Sequence, residues 1–494
     1  MMSPQQISVL QQIIGGTVLV PGEVGYAQAT IIDNGRIRRT PDAIVIPIDD
    51  QDVLNSLTFA RAENIPFTIK GGGHSATGYC LNDQGLVISM SAMKKLELDT
   101  KTGILQMDGG KTWSEVYDYL KEYGEGWVPV GGACSTVGVS GFILGGGISF
   151  VSRSCGLSVD NLLSVTLVTA ERGTVTVAAD SAEAWQRDLF WACQGGGGGN
   201  YGVATSFTIQ LHKTKGHCDK ILGGMFYYPL DQAESIMAEF NIWVQTIPDE
   251  LAVYGFMGYY GDTNIPVVRL EPVYNGDYET GRALIQPLFD WQPIEHELYD
   301  TSLLDFETIV GGTTLVQSRS AYITSAMVPE GGLTTEVMTL FKEAIRAAPS
   351  IQSYILWVHV GGKVNEVDAA ATAYVHRNTQ FVFELKAIWD TLDEMLANVN
   401  WARALTDGLC TLLVADEPSV DPDQPGAYVN YIDPLLANWT GQYYGSNYPR
   451  LEAIKDKEDP HNVFNFQQGI GSDFNPKEGV YSPLNRVFVY PMGN

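Results

Sequence analysis

The chain has 494 residues, 45% of them apolar, and carries 30 basic against 57 acidic side chains, a formal charge of −27. That length predicts two or three domains or one interleaved pair, and the acidic balance disfavours nucleic acid and anionic membranes as partners, since both call for a basic surface. No apolar run approaches the roughly 18 residues that would predict a membrane-spanning helix.

The start, Met1-Met2-Ser3-Pro4-Gln5-Gln6, lacks the basic and apolar regions of a signal peptide, so a cytoplasmic protein is expected. Residues 43–48 predict a strand, 52–62 a helix and 66–70 a strand, with further strands at 86–90 and 104–108. Residues 112–123 place Trp113, Val116, Tyr117 and Leu120 at helical spacing. Residues 163–170 and 174–177 are β-rich and flank a turn at Arg172-Gly173. A helix is expected over 181–193 with Ser181 as its cap, followed by a glycine run and a strand over 203–211.

The basic stretch 212–220 breaks this alternation. Beyond it, strands are expected at 221–228, 252–260, 267–274, 351–360 and 380–385, and helices at 230–246, 277–289, 334–347 and 385–399. That pattern predicts an antiparallel sheet backed by helices, an α+β layer. The acidic, Pro-rich loop 415–426 is a second boundary, giving expected domains 1–213, 214–426 and 427–494. The six cysteines have no CxxC spacing, so thiols are expected rather than a zinc site or a disulfide framework, and no metal is expected.

Glycine-rich loops carry the chemistry. Lys70-Gly71-Gly72-Gly73-His74-Ser75 follows a predicted strand, and a second loop reads Gly131-Gly132-Ala133-Cys134-Ser135-Thr136-Val137-Gly138. Glycine lets backbone approach a ligand closely, and successive amides form a nest for anions such as a pyrophosphate. Loop rather than helix follows Ser75, which disfavours a Rossmann fingerprint.

Together with Gly141-Phe142-Ile143-Leu144-Gly145-Gly146-Gly147, Asp160-Asn161-Leu162, Tyr428-Val429-Asn430-Tyr431 and Asp459-Pro460-His461-Asn462-Val463-Phe464, these segments resemble the berberine-bridge-enzyme-like flavoproteins of the vanillyl-alcohol-oxidase class almost end to end. The resemblance implies a PCMH-type FAD-binding domain of two α/β subdomains, completed by the C-terminal segment, plus a substrate domain whose sheet roofs the flavin. It also implies bicovalent FAD, with His74 on the flavin 8α-methyl and Cys134 on C6. The other cofactor-binding positions it implies are Lys70, Gly71, Gly72, Gly73, Ser75, Gly132, Val137, Gly138, Gly141, Gly145 and Asn430. Val137 falls where the family meets oxygen and resembles the oxygen-reactive members.

Tyr428 matches the family's catalytic tyrosine, a base for the substrate hydroxyl. A free phenol titrates near pH 10, so it needs help to act near neutrality. The corresponding partner acid of the sugar oxidases is absent from the strand that carries Tyr354, Trp357 and His359. His359 is therefore a candidate second catalytic group, and Tyr354, Trp357 and Glu384 are candidate substrate contacts. Ala76 replaces an aromatic that the sugar oxidases carry. The activity implied is an oxidase taking hydride from a carbon bearing an alcohol or hemiacetal, with O2 as acceptor and H2O2 as product; the alternative is a tailoring oxidase or oxidative cyclase acting on a bulky natural product. A small-molecule substrate and O2 are the only partners implied.

Overall fold

The computed structural model describes residues 1–216, 219–261, 263–311, 319–413 and 425–473; Cys218, most of the expected 415–426 boundary and the end of the tail lie outside them. The first sheet joins Thr17–Leu19, Ala43–Ile46, Leu86–Ser89 and Phe67–Lys70 in that order, the last three parallel. Ala43, Ile44, Val45, Leu86, Val87 and Ile88 are buried on both faces, as parallel strands covered on both sides must be. Helix Asp50–Ala62 packs there, and so does Pro4–Ile13, which the periodicity did not suggest. Its start was nevertheless written in the sequence: Gln6 N donates to Ser3 Oγ at 3.2 Å and Ser3 N to Gln6 Oε1 at 2.8 Å, a capping box.

The second sheet is antiparallel, in the order Leu96–Asp99, Ile104–Asp108, Val203–Gln210, Leu162–Thr169 and Gly173–Ala178. Helix Trp113–Tyr123 buries Trp113, Val116, Tyr117 and Leu120, the stripe its spacing predicts. Helix Ala184–Cys193 starts later than expected, because Ser181 Oγ accepts from Ala178 N at 2.9 Å and closes the preceding turn instead of capping the helix.

From residue 220 onward, seven antiparallel strands form one sheet in the order Glu295–Ser302, Lys220–Pro229, Pro266–Tyr274, Leu251–Tyr259, Tyr354–His359, Phe381–Trp389 and Ser320–Val328. The two edge strands were not expected. Glu295–Ser302 is charged and largely exposed, the composition that keeps an edge from pairing with another chain. The helix expected over 385–399 is instead strand Phe381–Trp389 followed by helix Met395–Leu412. The helix expected over 277–289 breaks at Ile285 into Tyr278–Leu284 and Gln286–Asp290, with Pro287 in the first turn of the second.

Helices Ala233–Trp243, Thr335–Arg346 and Met395–Leu412 cover one face of this sheet around Phe240, Phe341, Trp357, Phe383 and Leu405. The other face closes a cavity against the first two sheets and the tail. The architecture is α+β: two smaller sheets with their helices, and a helix-backed seven-stranded antiparallel sheet. Among the described residues no helix is long and apolar enough to cross a membrane, and Cys80, Cys134, Cys155, Cys193 and Cys410 are free thiols.

Candidate functional site

Two glycine loops meet backbone to backbone. A Cβ on Gly72 would overlap the backbone nitrogen of Gly138, and a Cβ on Gly138 that of Gly72, so the approach admits only hydrogen at both positions. The contact brings His74 and Cys134 onto one neighbour. His74 Nε2 lies 2.9 Å from Thr136 Oγ1 and Cys134 Sγ lies 3.7 Å from the same oxygen. Imidazole and thiol therefore cannot be farther apart than those two distances laid end to end. The thiol is exposed. Burial pushes the His74 imidazole down; Asp33 pulls it back up and Lys386 adds to the lowering.

These loops form one wall of a cavity of about 700 Å³, which also takes in Ser75, Val137 and Gly141; pockets for organic ligands commonly span ~300–1,000 Å³. Nothing lies within 4 Å of where a Gly141 Cβ would stand. The tail supplies a second wall through Phe464, Phe466 and Gln468. It is held there by buried Lys455, whose Nζ donates to Asn200 O and Asp459 Oδ2, each at 2.7 Å, while Asp459 Oδ2 accepts from Phe464 N at 2.9 Å. That network ties the Asp459–Phe464 motif to the glycine run at 195–199.

The seven-stranded sheet is the third wall. Tyr354, Leu356 and Val358 face the cavity from one strand, Glu384 and Lys386 from the next, and Arg269 and Glu271 from a third. Tyr354 Oη donates to Glu384 Oε1 at 3.2 Å, and Lys386 Nζ stands 3.8 Å from the same oxygen. Burial and the Glu384 charge both raise the Tyr354 phenol. Burial works against the Lys386 charge, but Tyr354, Glu384 and Asp33 outweigh it and raise its pKa. Arg269 and Glu271 pair at 2.5 Å over the Phe256 ring.

Tyr428 also lines the cavity. Its oxygen accepts from Gly147 N and from Asn430 Nδ2, each at 3.0 Å. Burial pushes the phenol up to about 12, although those same N–H groups pull it down. Asn430 is fixed in turn by donating to Phe142 O at 3.0 Å.

Four expected site residues lie elsewhere. His359 is fully buried behind the sheet: its Nε2 sits 2.9 Å from Arg153 Nη1, its Nδ1 accepts from Val253 N at 3.4 Å, and its ring stacks on Phe381. Burial and the Arg153 charge hold it well below its ordinary pKa, so it is a neutral structural group and not a base at the cavity. Trp357 shares that face and packs into the helix-backed core, where a Cβ on Gly255 would overlap its indole. Lys70 is buried, and its Nζ donates to Ala29 O and Ile31 O, each at 2.7 Å, rather than to the cavity. Gly145 makes room for Asn430, whose amide a Cβ there would overlap, and is not itself on the cavity wall.

Sequence reasoning missed Asp33, Thr136, Arg269, Glu271 and Lys386. The last three carried a signal, as charges inside otherwise apolar strands. The residues present fit FAD: a wall of glycine backbone lets phosphates come close to the main chain, and an imidazole and a thiol stand on one shared neighbour at the cavity wall. Among the described residues no group of three or more His, Cys, Asp or Glu could hold a metal ion.

Residues 41–179 match the FAD binding domain family model, and residues 427–471 match the berberine and berberine like family model. The chain is 28% identical over 464 residues to the FAD-linked oxidoreductase YgaK of Bacillus subtilis (strain 168), spanning 92% of this chain and 96% of that one. It is 26% identical over 484 residues to the aclacinomycin-N/aclacinomycin-A oxidase of Streptomyces galilaeus, spanning 87% and 85%. Its fold matches Physcomitrella patens BBE-like 1 with a TM-score of 0.82 at 25% identity, covering 94% of this chain and 98% of that one.

Proposed function

We propose that this chain, an FAD-linked oxidoreductase of the berberine-bridge-like family, is an oxidase that holds FAD through two covalent bonds, at His74 and Cys134, and acts on a carbon bearing an alcohol or hemiacetal oxygen in a sugar, oligosaccharide or glycoside-like substrate. Bound there, FAD supplies hydride uptake from that carbon and delivery of the electrons to dioxygen, with hydrogen peroxide as product. On this reading residues 1–213 and 427–494 hold the cofactor and 214–426 hold the substrate.

The observation that carries the proposal is the Tyr428 oxygen, set in the cavity wall with the N–H groups of Gly147 and Asn430 aimed at it. Tyr428, as its phenolate, takes the hydroxyl proton of the substrate as the C–H bond breaks, and the two N–H donors stabilise the negative charge its oxygen carries before that transfer. Tyr354, Glu384 and Lys386 offer adjacent donors and acceptors, a surface suited to a polyhydroxylated ligand. Val137 lines the cavity, as Cys134 does, and on this reading it stands where dioxygen meets the flavin.

A second reading has its own support. Phe150, Phe256 and Leu356 give the same cavity an apolar side that suits a bulky natural product, and the relative from Streptomyces galilaeus is an aclacinomycin-N/aclacinomycin-A oxidase. The test is anaerobic mixing with a panel of sugars, glycosylated polyketides and phenolic alcohols, followed by air. Bleaching by sugars, with peroxide on readmission of air, is the expected outcome. A product with a new ring and two fewer hydrogens selects the tailoring reading, and absence of bleaching by every donor refutes both.

A further inference from the structure

Asp33 belongs to none of the motifs above, yet it stands at the cavity wall with its Oδ1 4.0 Å from His74 Nδ1. The placement is built. Asp33 N donates to Gly73 O at 2.9 Å. The buried Lys70 ammonium grips the carbonyls of Ala29 and Ile31 just before it. The Asn34 amide, just after it, donates to Ala76 O at 2.7 Å and to Ala321 O at 2.9 Å. The segment that carries the carboxylate is thus fastened on both sides of His74, at Gly73 and at Ala76. The other ring nitrogen, Nε2, is occupied by Thr136 Oγ1.

We propose that Asp33 is a positioning residue for the joining of His74 to FAD: it fixes the imidazole and stabilises the positive charge that the ring carries while the bond forms. The inference rests on the covalent attachment at His74 proposed above. In the step, a ring nitrogen of His74 bonds to the 8α carbon, a C–H bond of that methyl group breaks and its proton leaves. The electron pair passes into the isoalloxazine, which dioxygen reoxidises. Whichever nitrogen makes the bond, the imidazole is cationic until it sheds its remaining N–H proton to solvent. A carboxylate at ion-pair distance lowers the energy of that cation. Burial and Lys386 meanwhile keep the unreacted imidazole neutral, with a lone pair to give.

The test uses the full-length Cys134→Ala protein, in which His74 is the sole tether. FAD is added to protein made under flavin starvation, and covalent incorporation is followed as flavin fluorescence on the denatured band, beside the affinity for non-covalent FAD. Asp33→Asn in this background is expected to slow incorporation roughly tenfold or more, each tenfold being ~1.4 kcal/mol of lost charge stabilisation, with FAD affinity unchanged. Asp33→Glu, which keeps the charge but not the shape, is expected to recover most of the rate. A purely steric role would give the reverse order, with the isosteric Asn the better replacement, and would overturn the proposal. So would an Asp33→Asn protein that incorporates FAD as fast as its Cys134→Ala parent, or one that no longer binds FAD at all. If Cys134→Ala with Asp33 intact sheds all its flavin on denaturation, the His74 tether itself is wrong, which separates that failure from a failure of the Asp33 role.

Discussion

Replacing Tyr428 by phenylalanine removes one oxygen and nothing else, and the structure gives that deletion two separable effects. The first is on stability. Gly147 N loses its acceptor, while Asn430 Nδ2 retains Phe142 O. One buried N–H left without a partner costs ~1–3 kcal/mol, so thermal unfolding should shift downward modestly and the protein should stay folded and yellow. The second effect is on chemistry. Loss of a positioned base typically slows the catalysed step ~10²–10⁴-fold, so anaerobic flavin bleaching in a stopped-flow instrument at saturating donor should slow by about 10²-fold or more. The proton-accepting form of Tyr428 is the deprotonated one. With its phenol pushed up to about 12, bleaching by the unmodified enzyme should rise with pH through the whole neutral range. Asn430→Ala, which keeps the phenol and removes one N–H donor from its oxygen, should raise that pKa further and slow bleaching at every pH below it. Tyr428→Phe protein that bleaches at the wild-type rate would remove Tyr428 from the chemistry.

Three further outcomes follow from the geometry. Acid-precipitated protein should remain yellow, and His74→Ala combined with Cys134→Ala should release FAD to the supernatant; a colourless pellet from the unmodified protein would refute the double tether. Gly72→Ala sets a methyl group against the backbone of Gly138, which cannot swing away; the flavin-to-protein absorbance ratio should collapse and stability should fall by ~1–3 kcal/mol, and a fully loaded variant would show that the two loops can separate. Glu307 is buried, and burial, outweighing the Tyr117 and Ser149 hydroxyls and the Lys121 charge, pushes its carboxyl up to about 8. The unfolded chain sheds that proton from ~4.3, so between the two values the folded state holds the extra proton and stability falls as pH rises. Glu307→Gln, neutral throughout, should therefore gain melting temperature over the parent on the alkaline side of this window and not on the acid side; a gain independent of pH would show that the carboxyl is not the titrating group.

The glycine loops were legible because their constraint is local: where two backbones touch, as at Gly72 and Gly138, no other residue fits, and the requirement is written into consecutive letters. Lys70 misled for the opposite reason. A lysine before a glycine loop resembles a phosphate ligand, but its ammonium was needed by the carbonyls of Ala29 and Ile31, some forty residues earlier, which no local pattern announces. The tail showed both behaviours. The wording of its Asp459 motif was readable, whereas the bridge from that carboxylate through Lys455 to the carbonyl of Asn200 was not.

The strand with Tyr354, Trp357 and His359 poses a subtler problem. Alternation divides its residues into two sets, but both faces of this sheet are covered, one by helices and one by the cavity walls, so apolar residues occur on each and hydrophobicity cannot say which set faces the ligand. Charge can, since an ionised side chain pressed against a helix layer without a partner costs several kcal/mol. Arg269 pairs across the sheet with Phe256, Phe256 with Leu356, Leu356 with Glu384 and Tyr354 with Lys386. The charged residues in these apolar strands therefore share one face, and that face contains Tyr354 and not Trp357. With the register in hand, four charges orient the sheet, put His359 behind it and turn Tyr354, Glu384 and Lys386 toward the cavity.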